Sequence, residues 1–314
     1  LVERLLERGL IPRAGEQAGG RGPNAQLYAV DPDSAHVVGV DVGPERVVAA
    51  CADLTGAVIG PVEQCTTDTD DPIGVVHNAV VQAARSTSTR LATVRRVVLG
   101  TPGLVDPATG DIAFAWNLPR WHRGLLAALR DDLHTPVVFE NDVNLAAMAE
   151  AHAGAARGLP DFVLVWIGTG LGLAVMLAGQ LHRGGSGAAG EIGYLPVPGA
   201  AMPRDVYRHT KGAKLDGAFH QIGAAEALLA VARAHGFRAT TAADAVRAAI
   251  GAGAEGGPML DEVAHRLALG VAAVCVVLDP PLVVLAGEVG AAGGSALAER
   301  VQREVAAITP VSPR

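Results

Sequence analysis

Residues 162–179 read FVLVWIGTGLGLAVMLAG. The stretch carries no charge and is about as long as a membrane span. Gly168, Gly170 and Gly172 interrupt it, and Thr169 sits among them. Short apolar runs punctuated by glycine read as buried strands. The stretch therefore predicts two buried strands, 162–170 and 173–179, joined by a glycine turn, with a third strand starting in QLHRG (180–184). Membrane insertion is excluded on the same grounds.

An earlier stretch repeats the pattern. HVVGVDVG (36–43) and RVVAACADL (46–54) are again strand, glycine turn, strand, and AVIGPVEQ (57–64) adds a third run. A helical stretch over 72–89, a buried strand VRRVVLG (94–100), a helix over 123–133 and a strand PVVFE (136–140) follow. An Ala-rich helix from Val143 to Arg157 comes next. After the second hairpin, helices are expected over 223–236, 241–251 and 259–278. PLVVLAGEVG (281–290) reads as a strand with a glycine turn, and Ser295 to Ile308 as a last helix. Meander followed by alternating helices and strands is an α/β pattern. The repeat predicts two related α/β domains, a smaller one at 36–142 and a larger one at 143–314, whose glycine turns face one cleft.

The 314 residues are 50% hydrophobic and 18% charged, which excludes a disordered chain. A net charge of −7 excludes a protein that is basic all over, so nucleic-acid binding would need a local basic module. Residues 1–30 are the candidate. Leu1, Val2, Leu5 and Leu6 share one helical face and Gly9 is a C-terminal stop, while PRAGEQAGGRGPNAQ (12–26) suits a wing and linker. Arg4, Arg8, Arg13 and Arg21 supply positive charge there. The chain lacks an initiator Met and a secretory apolar core, and TPVSPR (309–314) closes no element, which suggests a trimmed chain. Cys51, Cys65 and Cys275 lie far apart with no CxxC spacing, as expected of a reducing cytoplasmic setting without disulfides.

Several residues could carry chemistry. Asp41 ends a strand and precedes Gly43, a place that can hold a metal-bound phosphate or simply cap a turn. Thr169 in GTGLG adds a hydroxyl to glycine amides that suit an anion, or merely closes a hairpin. Asn141 and Asp142 follow a strand at its carboxyl end, where α/β proteins place ligands. Asp142 could be a general base toward a substrate hydroxyl, or the N-cap of the helix after it. Glu191, between glycines in GGSGAAGEIGY (184–194), and Asn117, in NLPRW (117–121), suit the paired hydroxyls of a sugar.

Taken in order, PGLVDPATG (102–110), NLPRW (117–121), FENDVNLAAMAE (139–150), GTGLG (168–172) and GGSGAAGEIGY (184–194) resemble the ROK family of repressors and sugar kinases. The resemblance runs from Leu1 to about Ser295. It implies a two-domain actin-like, ribonuclease-H-like ATPase fold. It implies that Asp142 is the base toward a sugar hydroxyl, and that Gly103, Asn117, Asn141, Asp142, Glu191, Tyr194 and Asp216 line the sugar site. Asp41, Gly43, Gly168, Thr169, Gly170 and Gly287 would lie at nucleotide phosphates. Residues 1–30 would be the last helix and wing of a winged helix-turn-helix, with Arg21 and Gly22 at DNA.

The departures from that pattern are specific. Pro44 and Glu45 stand where the kinases carry glycine and Thr, and Pro has no N–H to offer a phosphate. Glu288, in AGEVG (286–290), replaces a small residue near the adenosine end. Two acidic residues beside a triphosphate could each cost on the order of 1 kcal/mol. The family's zinc site has Tyr194 in place of His, and Tyr207, His209 and Lys214 in place of its Cys ligands. Tyr and Lys are poor zinc ligands, so no zinc and no other cofactor is expected, with ATP and Mg only if the chain is a kinase. The expectation is a sugar-responsive repressor that binds a sugar or sugar derivative and operator DNA as a homodimer or homotetramer. The alternatives are an ATP-dependent hexose kinase and a non-catalytic sugar-binding protein.

Overall fold

A computed structural model of the chain describes residues 1–18, 24–66, 71–87, 89, 91–114, 124–202, 217–310 and 313–314. The fold is α/β, in two compact units, Leu1–Asp142 and Val143–Arg314.

The first unit opens with helix α1 (Val2–Glu7), stopped where the Gly9 amide donates to the Leu6 carbonyl at 2.9 Å. Strands β1 (Arg13–Gln17) and β2 (Ala25–Tyr28) then pair antiparallel. The meander follows as β3 (His36–Val42), β4 (Arg46–Asp53) and β5 (Val58–Cys65). Helix α2 (Pro72–Ser86) begins where Asp71 Oδ1 accepts from the Gly74 amide at 2.9 Å and Pro72 fills the first turn. Strand β6 (Val94–Thr101), the short pair β7 (Leu104–Val105) and β8 (Ile112–Phe114), helix α3 (Leu125–Leu133) and strand β9 (Val137–Asn141) complete the unit.

Its main sheet runs β5-β4-β3-β6-β9, with β3, β6 and β9 parallel. Strand β3 alternates strictly: Val38, Val40 and Val42 are buried, while Val37, Gly39 and Asp41 face outward. The buried valines meet Val76, Ala79, Val80 and Ala83 of α2, spaced for one helical face, and Leu125, Leu126 and Leu129 of α3.

The second unit holds most of helix α4 (Asp142–Ala153) and strands β10 (Phe162–Ile167), β11 (Leu171–Leu177) and β12 (Gln180–Leu181). Helices α5 (His220–Gly223), α6 (Ala225–Ala234), α7 (Ala242–Gly251) and α8 (Gly257–Leu278) follow, then strand β13 (Val283–Ala286) and helix α9 (Gly287–Ile308). The sheet order is β12-β11-β10-β13, with β10 and β11 antiparallel and β13 parallel to β10. The uncharged stretch 162–179 is thus a hairpin. Among the described residues no helix is long and apolar enough to cross a membrane. Val163, Val165 and Ile167 of β10 pack with Leu228 of α6, Leu260 and Leu267 of α8, and Leu297 of α9.

Two expected elements differ. The helix expected from Val143 to Arg157 starts at Asp142 and ends at Ala153. There the Glu150 carboxylate folds back, with Oε2 accepting from the Ala155 amide at 2.7 Å, beyond the helix end. The glycine turn expected after β13 is instead the start of α9, which runs from Gly287 and kinks at Gly294.

Candidate functional site

In the first unit, the parallel strands β3, β6 and β9 end side by side. Register pairs Asp41 with Gly100, Gly100 with Glu140, and Thr101 with Asn141. Asp41 and Glu140 therefore share a face on either side of Gly100, their backbones about 10 Å apart by strand spacing. The carboxyl ends of parallel strands are where ligands collect in such sheets. Asn141 Nδ2 donates to the Gly103 carbonyl at 3.0 Å, so two of the expected sugar residues meet. Asp142 directly follows and is the first residue of α4, not a cap outside it. Its carboxylate is an acceptor suited to a sugar hydroxyl.

Glu140 escaped the reading of the sequence. It is a carboxylate only 7% exposed, and Oε1 accepts from the Asn141 amide at 3.0 Å. The signal was present: a charged side chain inside the apolar strand PVVFE rarely goes underground without a task. Burial pushes the Asp41 carboxyl above its ordinary range, while the Arg46 guanidinium pulls it down.

The turn after β3 offers little to a phosphate. The Gly43 amide donates to the Arg46 carbonyl at 2.9 Å, and Pro44 has no N–H. In the second unit, the Gly168 amide likewise donates to the Gly170 carbonyl at 3.0 Å, closing the turn between β10 and β11. The Gly168 carbonyl accepts from the Ala225 amide at 2.9 Å, which ties the turn to the start of α6. Thr169 and Gly170 remain exposed at the tip.

Gly287 stands behind that turn. Its φ is 77°, and a β-carbon there would lie 2.5 Å from the Ile167 carbonyl oxygen, so only glycine fits. The next residue, Glu288, reaches the turn itself. A β-carbon on Gly168 would lie 3.4 Å from the Glu288 carboxyl carbon, nearer still to its Oε2, and 2.9 Å from Trp166 Nε1. Of the expected phosphate residues, Gly168, Thr169, Gly170 and Gly287 are therefore brought together.

Gly190 shapes the other expected sugar segment. At φ 103° its carbonyl accepts from the Leu173 amide at 2.9 Å, and any side chain there would strike the Leu173 carbonyl. This close approach to β11 sets Glu191 at the head of a 3₁₀ turn, Ile192–Tyr194, with Glu191 and Tyr194 both half-buried. His220, at the start of α5, flanks this turn: its Nδ1 lies 3.8 Å from where a Gly193 β-carbon would sit. Nothing in the residues around His220 singles it out, because a lone His is more often an ordinary packing residue.

Asn117, Asp216, Arg21 and Gly22, and the zinc-position residues Tyr207, His209 and Lys214, lie outside the described residues. Among the described residues no cluster of three His, Cys, Asp or Glu is arranged to hold a metal ion.

The chain matches known proteins over most of its length. It is 28% identical over 201 residues to the DNA-binding transcriptional dual regulator NagC of Escherichia coli (strain K12), covering 63% of this chain and 49% of NagC. The chain thus spans about half the length of that relative. It is 26% identical to a glucokinase of Halalkalibacterium halodurans, over 83% of this chain and 82% of the glucokinase. A solved ROK family transcriptional regulator, a homolog of the E. coli MLC protein, shares the fold at 18% identity and a TM-score of 0.75. It covers 98% of this chain and 78% of its own. Such breadth agrees with the actin-like α/β fold that the resemblance implied. The model of the ROK family matches residues 37–311, and the chain belongs to that family.

Proposed function

We propose that the chain is a sugar-responsive transcriptional regulator, a repressor in its simplest form. The observation that carries this reading is the helix-and-hairpin start, α1 followed by β1 and β2, which precedes the stretch matched by the family model. A helix followed by an antiparallel hairpin is the order of a recognition helix and its wing. The fold of the solved regulator extends over 98% of the chain, beyond that matched stretch, and supports the same reading. Arg21 and Gly22 would meet DNA. A sugar or sugar derivative would contact Gly103, Asn141 and Asp142 at the strand ends of the first unit. Binding favours one of two conformations that differ in DNA affinity. The protein works in the cytoplasm as a homodimer or homotetramer, without zinc and without nucleotide.

The test is binding of the full-length protein to the DNA upstream of its own gene at physiological salt, with and without a sugar panel. N-acetylglucosamine, xylose and glucose head that panel, because relatives include an N-acetylglucosamine repressor, a xylose repressor and a glucokinase. Specific binding relieved by one sugar is expected. Binding that is absent, or blind to every sugar, removes the reading.

A second reading, an ATP-dependent hexose kinase, is favoured by Asp142 at the end of β9 and by the glucokinase match over most of the chain. A coupled phosphorylation assay over the same hexoses decides it. Turnover that vanishes in Asp142→Asn would reverse the ranking.

A further inference from the structure

We propose that Glu288 is a specificity-determining residue: its carboxylate lies over the Gly168 turn and bars nucleotide phosphates from it. The inference deepens the regulator reading, on which it rests, by making the ligand response independent of ATP.

The geometry comes from three elements. Strand β13 runs parallel beside β10, pairing Ala286 with Trp166. This register brings the end of β13 level with the end of β10, so α9 starts directly behind the Gly168–Gly170 turn. Gly287 presses onto the Ile167 backbone, and Gly290 packs as closely on Leu285, where a β-carbon would lie 2.7 Å from the carbonyl carbon. The two glycines fix the first turn of α9, and Glu288 stands between them. Its side chain leans to Gly168, whose missing β-carbon makes the space that the carboxylate fills. The Trp166 indole N–H borders the same space.

The electrostatics favour that placement. The first turn of α9, which runs only to the break at Gly294 before the helix resumes, has amides without helical partners, which welcome a negative charge. Glu288 supplies it from within the chain. A phosphate approaching the turn meets a carboxylate where it would need donors. The Gly168 amide does not offset this, since it is engaged with the Gly170 carbonyl. Glu288 is exposed, as are Thr169 and Gly170, and repulsion between like charges a few ångströms apart at a protein surface is strong enough to lower affinity by tenfold or more.

The variant Glu288→Gln keeps the shape and removes the charge. Binding of MgATP is measured by calorimetry for the wild type, for Glu288→Gln, and for Glu299→Gln, an exposed glutamate further along α9. The expected result is at least tenfold tighter binding for Glu288→Gln, with Glu299→Gln matching the wild type. If Glu288→Gln does not fold, Glu288→Ala takes its place under the same criterion. Wild-type binding as tight as the variant's, or a variant as weak as the wild type, overturns the inference. The regulator reading fails on a different readout, sugar-sensitive DNA binding by the wild type, so the two failures are distinguishable.

Discussion

The chain builds a strand–glycine turn–strand hairpin twice, and the two copies do different things. In the first unit the turn Gly43–Arg46 is a plain connector. Its glycine amide closes the hairpin, Pro44 has no donor and Glu45 is exposed. Its backing comes from Thr66, just past β5, whose amide donates to the Glu45 carbonyl at 2.9 Å and whose hydroxyl donates to the Pro44 carbonyl at 3.0 Å. The polar groups of interest sit instead one and two strands away, at the ends of β6 and β9, where Asn141 holds Gly103. In the second unit the turn itself is the focal point. It is tied to α6 through the Gly168 carbonyl and backed by Gly287 and Glu288 at the start of α9. The same topology thus serves as scaffold in one copy and as a guarded site in the other. Composition of the turn does not decide this. What decides it is which later element arrives behind the turn.

The largest test of that contrast is Gly287→Ala. The new methyl would lie 2.5 Å from the Ile167 carbonyl oxygen, and the residue would be held at φ 77°. Left-handed strain adds to overpacking, so a loss of about 2–4 kcal/mol is expected from urea denaturation. A loss below about 1 kcal/mol would mean that α9 does not lock the second turn.

Next comes Asp142→Asn, which probes the strand ends of the first unit. A carboxylate that accepts from sugar hydroxyls contributes about 1.5–3 kcal/mol, so affinity for the responsive sugar should fall about ten- to a hundredfold by calorimetry. Unchanged affinity would move the sugar away from the end of β9 and leave the first unit without the role assigned to it here.

Much of this was legible beforehand. The hairpins at 36–54 and 162–179, the parallel strands at 94–100 and 136–140 and the helices of the second unit follow from hydrophobic period and glycine punctuation. What stayed hidden has one physical cause: contacts between positions distant in sequence. AGEVG read as a turn because glycine pairs usually reverse a chain. Here Gly287 and Gly290 serve close approach to β10 and β13, and the chain enters a helix instead. Glu288 and Gly168 lie far apart in the sequence, and only the parallel pairing of β10 with β13 unites them. His220 beside the Gly193 turn was invisible for the same reason.

A smaller effect separates the two units by pH. Burial raises the Asp41 carboxyl, so the folded state binds that proton more tightly than the unfolded chain does. Its contribution is favourable below the unfolded value of 3.8 and is lost as pH rises through the raised one. Asp41→Asn should therefore stabilise the protein at pH 7 and lose that advantage below pH 3.8. The gain should stay under about 1 kcal/mol, because the side chain keeps contact with water and with Arg46. Thermal melts at both ends of this range check the sign, and destabilisation at pH 7 would place Asp41 in a structural bond instead.

The smallest expected effect is the sharpest control. Gly43→Ala places a methyl 3.3 Å from the Arg46 carbonyl oxygen, a tight contact that a turn open to solvent relieves by a small shift. Gly43 has none of the left-handed geometry of Gly287, and replacing glycine by alanine also narrows the unfolded ensemble. The two contributions oppose each other, so the net change in urea denaturation should lie within about 0.5 kcal/mol of zero. Should Gly43→Ala cost as much as Gly287→Ala, the first turn is as tightly backed as the second. The distinction between scaffold and guarded site would then have to be sought in charge alone, in Glu45 against Glu288.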